Sequence, residues 1–113
     1  MKTKFPKKSK IVEPVLRKFE TELRKYYGES LEAIILFGSY ARGDFHADSD
    51  VDLLLLFPEN THINKETKKV MEIAYEFMLE DGYLLMPILT THELFNKKNS
   101  PLYLNIKKEG IKI

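Results

Sequence analysis

The segment ILFGSYARGDFHADSDVDLLLLF, residues 35–57, constrains this chain more than any other. LEAIILF, residues 31–37, is apolar, partly β-branched and short, and reads as a strand. DVDLLLLF, residues 50–57, reads as a second strand, closed by Pro58. Leu53 to Leu56 run without a polar interruption, so burial on both faces of a sheet is expected. Between the two runs the chain turns small, polar and glycine-punctuated. Asp50 and Asp52 stand one residue apart at the mouth of the second run.

The flanks supply what covers such a sheet. Val15, Leu16, Phe19, Leu23 and Tyr26 fall on one face of a helix from Glu13-Pro14 to Tyr27, where Pro14 suits the first turn and Gly28 the stop. Residues 65–81 read as a second amphipathic helix, with Val70, Ile73, Ala74, Phe77 and Met78 inward and Gly82 at its end. YLLMPILT, residues 83–90, reads as a third strand that Pro87 makes an edge or bulged one. THELFNKK, capped by Thr90 or Thr91, and SPLYLNIKKEG, with Ser100 as cap and Pro101 first, read as short helices. Ile111 and Ile113 are expected to pack or pair at an edge. The order predicts an α+β domain, a small mixed β-sheet covered by helices.

The bulk properties narrow the class. A chain of 113 residues, 43% apolar and 31% charged, makes one domain with a modest core. We read residues 13–113 as that domain and residues 1–12, with Lys2, Lys4, Lys7, Lys8 and Lys10, as a basic N-terminal segment, solvated and frayed. The lysines can also touch phosphates or an acidic partner. No apolar stretch follows them to make a secretory signal, and no run is long enough to span a membrane. A net charge of +1 argues against strong nucleic-acid binding. Without cysteine there is no thiolate metal site or thiol nucleophile, and a cytoplasmic location is expected.

The central segment then has two chemical sides. Gly38 permits torsions or a close approach that a side chain would block. Ser39 suits the N-cap of a short helix through Tyr40, Ala41 and Arg42 that Gly43 ends. Such a helix start suits an anion, and Arg42, on about the same side of the turn, can reach a phosphate. On a strand Asp50 and Asp52 project to one face. Two adjacent carboxylates repel unless a cation lies between them, and Mg²⁺ is commonly held by one or two carboxylates together with substrate phosphates. Val51, Leu53 and Leu55 face the other way and anchor the strand. Each piece alone occurs in hairpins without chemistry; their combination in this order carries the reading.

Gly38-Ser39, ten intervening residues, then Asp50-Val51-Asp52 resembles the signature of the nucleotidyltransferase superfamily that includes DNA polymerase beta and the kanamycin nucleotidyltransferases. GSYARGD and SDVDLLL are most similar to the minimal nucleotidyltransferases, one-domain proteins paired with HEPN-domain ribonucleases and acting as their antitoxins. GYLLMPILTTHELF and SPLYLNIKKEGI resemble this group's C-terminal part less specifically. The resemblance implies a polymerase-beta-palm-like fold. It implies that Gly38 and Ser39 bind the nucleotide triphosphate, to which the reading above adds Arg42, and that Asp50 and Asp52 bind Mg²⁺ and are catalytic. It also implies transfer of AMP from ATP to a protein hydroxyl, a tyrosine of the cognate HEPN toxin, in an assembly with that partner. Fully equipped members add a third carboxylate from a later strand; YLLMPILT has none, with Asp81 before it and Glu93 after it. That departure supports an alternative, a non-catalytic, nucleotide-binding antitoxin that inhibits by binding. A small-molecule adenylyltransferase is a weaker third reading.

Other residues stay open at this level. His46, in the loop between the motif halves, either touches nucleotide or is solvated. Asp44 and Asp48 flank the motif as further acids or as turn residues. Tyr40 lines the pocket or packs on the sheet. Tyr26, Tyr27, Tyr75, Tyr83 and Tyr103 read as core or half-buried aromatics.

Overall fold

Leu53 to Leu56 are all buried, and the sheet is built around them. The computed structural model describes residues 1–97 and 99–113. Its four strands are β1 (Ala33–Phe37), β2 (Val51–Phe57), β3 (Leu85–Thr91) and β4 (Ile111–Lys112), in spatial order β3-β2-β1-β4. β1 runs antiparallel to β2 and β4, and β2 runs parallel to β3, which makes the sheet mixed, as expected. The parallel pair is joined through a long helix, the crossover such a pair requires.

Helices α1 (Glu13–Tyr27) and α3 (Ile63–Asp81) cover one face. Val15, Leu16, Phe19 and Leu23 from α1 and Val70, Ala74 and Phe77 from α3 meet Ile34, Leu36, Val51, Leu53, Leu55 and Phe57. Phe19 and Phe77 join the two helices edge to face, with ring centroids 5.4 Å apart. On the opposite face Ala33, Ile35, Leu54 and Leu56 pack with Phe95 and Ile106. Those two come from α4 (His92–Lys97) and α5 (Pro101–Glu109). Each β2 leucine thus removes an apolar side chain from water, worth about 1.5–3 kcal/mol. Thr91 accepts from the Leu94 N–H and Ser100 from the Tyr103 N–H, so both expected caps form. Lys98, in the stretch expected to be helical, lies outside the described residues.

Pro87 sits on the edge strand, and the register explains why it is tolerated there. The Val51 N–H donates to the Leu84 carbonyl at 2.8 Å, so Leu84, Met86 and Ile88 turn their backbone groups toward β2. Pro87 then faces the free edge, where its missing N–H costs no ladder bond and discourages strand addition.

Three expectations need correction. Residues 1–12 are not a frayed tail: the Lys2 N–H donates to the Gly110 carbonyl, Lys7–Val12 form a 3-10 turn, and Ser9 and Val12 are fully buried. Phe5 and Val12 carry the segment onto the core, which the run of lysines obscures. Tyr26 and Tyr75 are more than half exposed rather than core aromatics. At the end of α1 it is Tyr27 that turns inward, against Phe57 at 5.1 Å, with its hydroxyl donating to Glu66 at 2.8 Å. Tyr75 lies about 100° around α3 from buried Ala74, on the outer face. Among the described residues no helix is long and apolar enough to cross a membrane.

Candidate functional site

The side chains of β2 alternate about the sheet, so Asp52 shares the face of Leu54 and Leu56, at the end that α4 and α5 leave open. Phe37, the last residue of β1, pairs with Asp52. Gly38 then turns the chain into α2 (Ser39–Arg42) with φ 75° and ψ −154°, a region open essentially to glycine alone. Glycine is needed there a second time. A Cβ on Gly38 would run into Asp52 Oδ2 and lie 3.2 Å from its Cγ. The backbone after β1 and the carboxylate of β2 are fitted to each other with no room for a methyl group.

The N-cap expected at Ser39 falls one residue earlier. Gly38 occupies it, its carbonyl accepting from the Ala41 and Arg42 N–H groups at 3.0 and 3.1 Å, while Ser39 is the first helical residue. The Ser39 hydroxyl is therefore not spent on capping its own helix. The first N–H groups of a helix have no partner within it, so those of Ser39 and Tyr40 are not satisfied by α2 itself. Tyr40 is buried and stacks on Phe45, centroids 4.1 Å apart, so it packs rather than lining the site.

Asp50 stands immediately before β2 and is exposed, outside the strand expected to include it; Asp52 is half-buried within. Burial first, then the negative charge of Asp50, pushes the Asp52 carboxyl above its ordinary pKa, and the Arg42 guanidinium opposes both. Asp50 and Arg42 thus both act electrostatically on the Asp52 carboxylate, in opposite directions. Arg42 also pairs with Asp44 at 3.2 Å and Glu109 at 3.5 Å. Glu109, at the end of α5, carries no local sequence sign of belonging here. The His46 side chain is exposed, and its backbone N–H donates to Ser49 Oγ at 2.7 Å, closing the loop between the motif halves. Asp48 is exposed in that loop.

Across β2 from Asp52 the register places Met86, so the adjacent edge position offers a thioether and no acid. Asp81 is held by Lys18 at 3.0 Å on the helical face. Glu93 follows β3 at the far end of the parallel pair and engages Lys97. Among the described residues no group of three or more His, Asp or Glu side chains is placed to hold a metal. The donor set present, two mutually repelling carboxylates with Asp52 seated against the Gly38 backbone, fits one hard divalent cation completed by phosphate oxygens and water.

The nucleotidyltransferase domain family matches residues 16–112. The protein named "Putative protein adenylyltransferase MJ0604" of Methanocaldococcus jannaschii is 33% identical over 99 residues, which span 87% of this chain and 93% of that one. Protein adenylyltransferase MntA of Thermococcus cleftensis is 44% identical over 48 residues, 42% of this chain and 46% of its own length. Among solved structures, a toxin–antitoxin crystal structure with AMP-PNP superposes with a TM-score of 0.59 at 20% identity, covering 84% of this chain and 69% of that one. Match and geometry agree on the same domain: the chain belongs to the nucleotidyltransferase domain family.

Proposed function

We propose that this chain is a Mg²⁺-dependent protein adenylyltransferase that acts as an antitoxin, transferring AMP from ATP to a tyrosine hydroxyl of a cognate HEPN ribonuclease. The observation that carries the reading is the fit of Gly38 against Asp52, which joins the two halves of the motif at one strand end. The names of the adenylyltransferase relatives and of the toxin–antitoxin neighbour support the acceptor class. The cytoplasm is the compartment in which such a pair would work.

Asp50 and Asp52 would hold the Mg²⁺, which when bound neutralises phosphate charge and orients the triphosphate. Gly38 admits the Asp52 carboxylate against the backbone, and the N–H groups at the start of α2 with the hydroxyl of Ser39 donate to the triphosphate oxygens. Arg42 exchanges Asp44 and Glu109 for a phosphate. The acceptor oxygen bonds to the α-phosphorus as the bond to the β-phosphate bridge oxygen breaks. Pyrophosphate leaves with that electron pair, and the hydroxyl proton is lost to solvent. Positioning and charge neutralisation supply most of the acceleration in such a transfer.

Met86 favours a second reading, a nucleotide-binding antitoxin that inhibits through its interface alone, because a second ion would lack a carboxylate. Incubating the protein with Mg²⁺, α-³²P-labelled ATP and its partner separates the two. Label on the partner that disappears with Asp50→Asn, Asp52→Asn or with chelator establishes transfer. Full inhibition without label, undiminished in the double variant, establishes the binding antitoxin.

A further inference from the structure

We infer that the N-terminal segment is a strap that fixes the Gly38–Gly43 turn, and that Ser9 is a positioning residue for it. The end of α2 poses the problem. The N–H groups of Gly43 and Asp44 both donate to the Ser39 carbonyl, at 2.8 and 3.1 Å. Those are the donors that would otherwise satisfy Tyr40, whose carbonyl is left over at the helix end. Ser9 Oγ donates to it, from a side chain with 0% exposure. A buried carbonyl without a partner is costly, so the hydroxyl and the turn conformation depend on each other.

Two further contacts run along the same segment. Pro6 packs beneath the turn, its Cβ 3.1 Å from where a Cβ on Gly43 would stand. Lys2 is tied to the end of the sheet: its N–H donates to Gly110 at 3.2 Å and its carbonyl accepts from the Lys112 N–H at 2.9 Å. From that end α5 contributes Glu109 to Arg42. The strap therefore spans the turn from Arg42's ion-pair partner to Tyr40's carbonyl. Most of it lies before residue 16, where the family match begins.

The consequence for nucleotide rests on the function proposed above; the consequence for the turn does not. Three full-length variants test both: Ser9→Ala, the milder Pro6→Ala, and Val70→Ala as a core control on α3. Hydrogen exchange at the Ala41–Asp44 amides and the Kd for MgATP are measured well below each Tm. Ser9→Ala should speed exchange of the turn amides about tenfold and weaken MgATP binding about five- to tenfold, the order expected from one buried hydrogen bond. Pro6→Ala should move both in the same direction by less. Val70→Ala should lower Tm at least as much yet leave turn exchange and Kd within about twofold of the parent. Unchanged turn exchange in Ser9→Ala and Pro6→Ala overturns the strap. An unmodified protein that binds no MgATP overturns the nucleotide reading instead, and the exchange data then decide the strap alone.

Discussion

Replacing Gly38 by alanine tests whether the strand-end turn and the Asp52 carboxylate are one unit. Two costs are separable. The first is backbone: φ 75° with ψ −154° is a glycine conformation, and holding an alanine there costs about 1–3 kcal/mol. The second is steric: the new methyl meets Asp52 Oδ2 and lies 3.2 Å from Cγ and 3.4 Å from Cβ. Rotating the carboxylate away relieves the first two contacts, and the third is ordinary packing. The stability loss is therefore set mainly by the backbone, and the carboxylate is displaced. For a domain of this size 1 kcal/mol lowers Tm by about 4 °C.

Urea denaturation of metal-free protein measures the loss by linear extrapolation. The steric part is isolated by repeating Gly38→Ala in an Asp52→Ala background, where Oδ2 and Cγ are gone. The penalty should shrink toward the backbone cost, leaving a coupling of at least about 0.5 kcal/mol. MgATP affinity should fall in Gly38→Ala even where the protein is fully folded. An equal penalty in both backgrounds, with MgATP affinity intact, would refute the claim that Gly38 is there to admit Asp52.

The pH response of Asp52 has a definite sign. Its folded pKa lies above the ordinary aspartate value of 3.8, so the native state holds this proton more tightly than the unfolded chain. The associated stability is fully present below 3.8 and is lost as pH rises through the folded pKa. Metal-free Asp52→Asn should consequently be more stable than the parent at neutral pH, with the gap closing on acidification; a pH-independent gap in calorimetric Tm contradicts the burial and Asp50 account. Gly110→Ala should cost about 1–3 kcal/mol in urea, because its Cβ would lie 2.7 Å from Ile35 Cγ2 and 2.5 Å from the Ile106 carbonyl oxygen. An unshifted midpoint would mean that α5 and β1 are not packed there as described. Ser100→Ala removes the acceptor for the Tyr103 N–H, 3.2 Å away, and should cost about 0.5–2 kcal/mol by the same titration. No loss would show that α5 does not rely on that cap.

What could be read from the sequence divides along a physical line. β2 was legible because an uninterrupted run of leucines closed by proline has few other homes, and the caps at Thr91 and Ser100 because capping is a local signal. The same leucine run hides its register: with both faces buried, a slip by one residue exchanges leucine for leucine. What breaks the degeneracy is the polar end, where Asp52 must meet Gly38 and Phe37, so the motif that suggests chemistry also aligns the sheet. The parts that sequence reasoning missed are pairings between distant residues with no periodic pattern. Ser9 with Tyr40, Arg42 with Glu109 and Lys2 with Ile111 are each one residue meeting one residue, whereas the edge pairing expected of Ile111 and Ile113 is borne out by β4. All of these illegible contacts converge on the turn between β1 and β2 or on the sheet end beside it. The motif names the residues of the candidate site, and long-range contacts that it does not encode hold them in place.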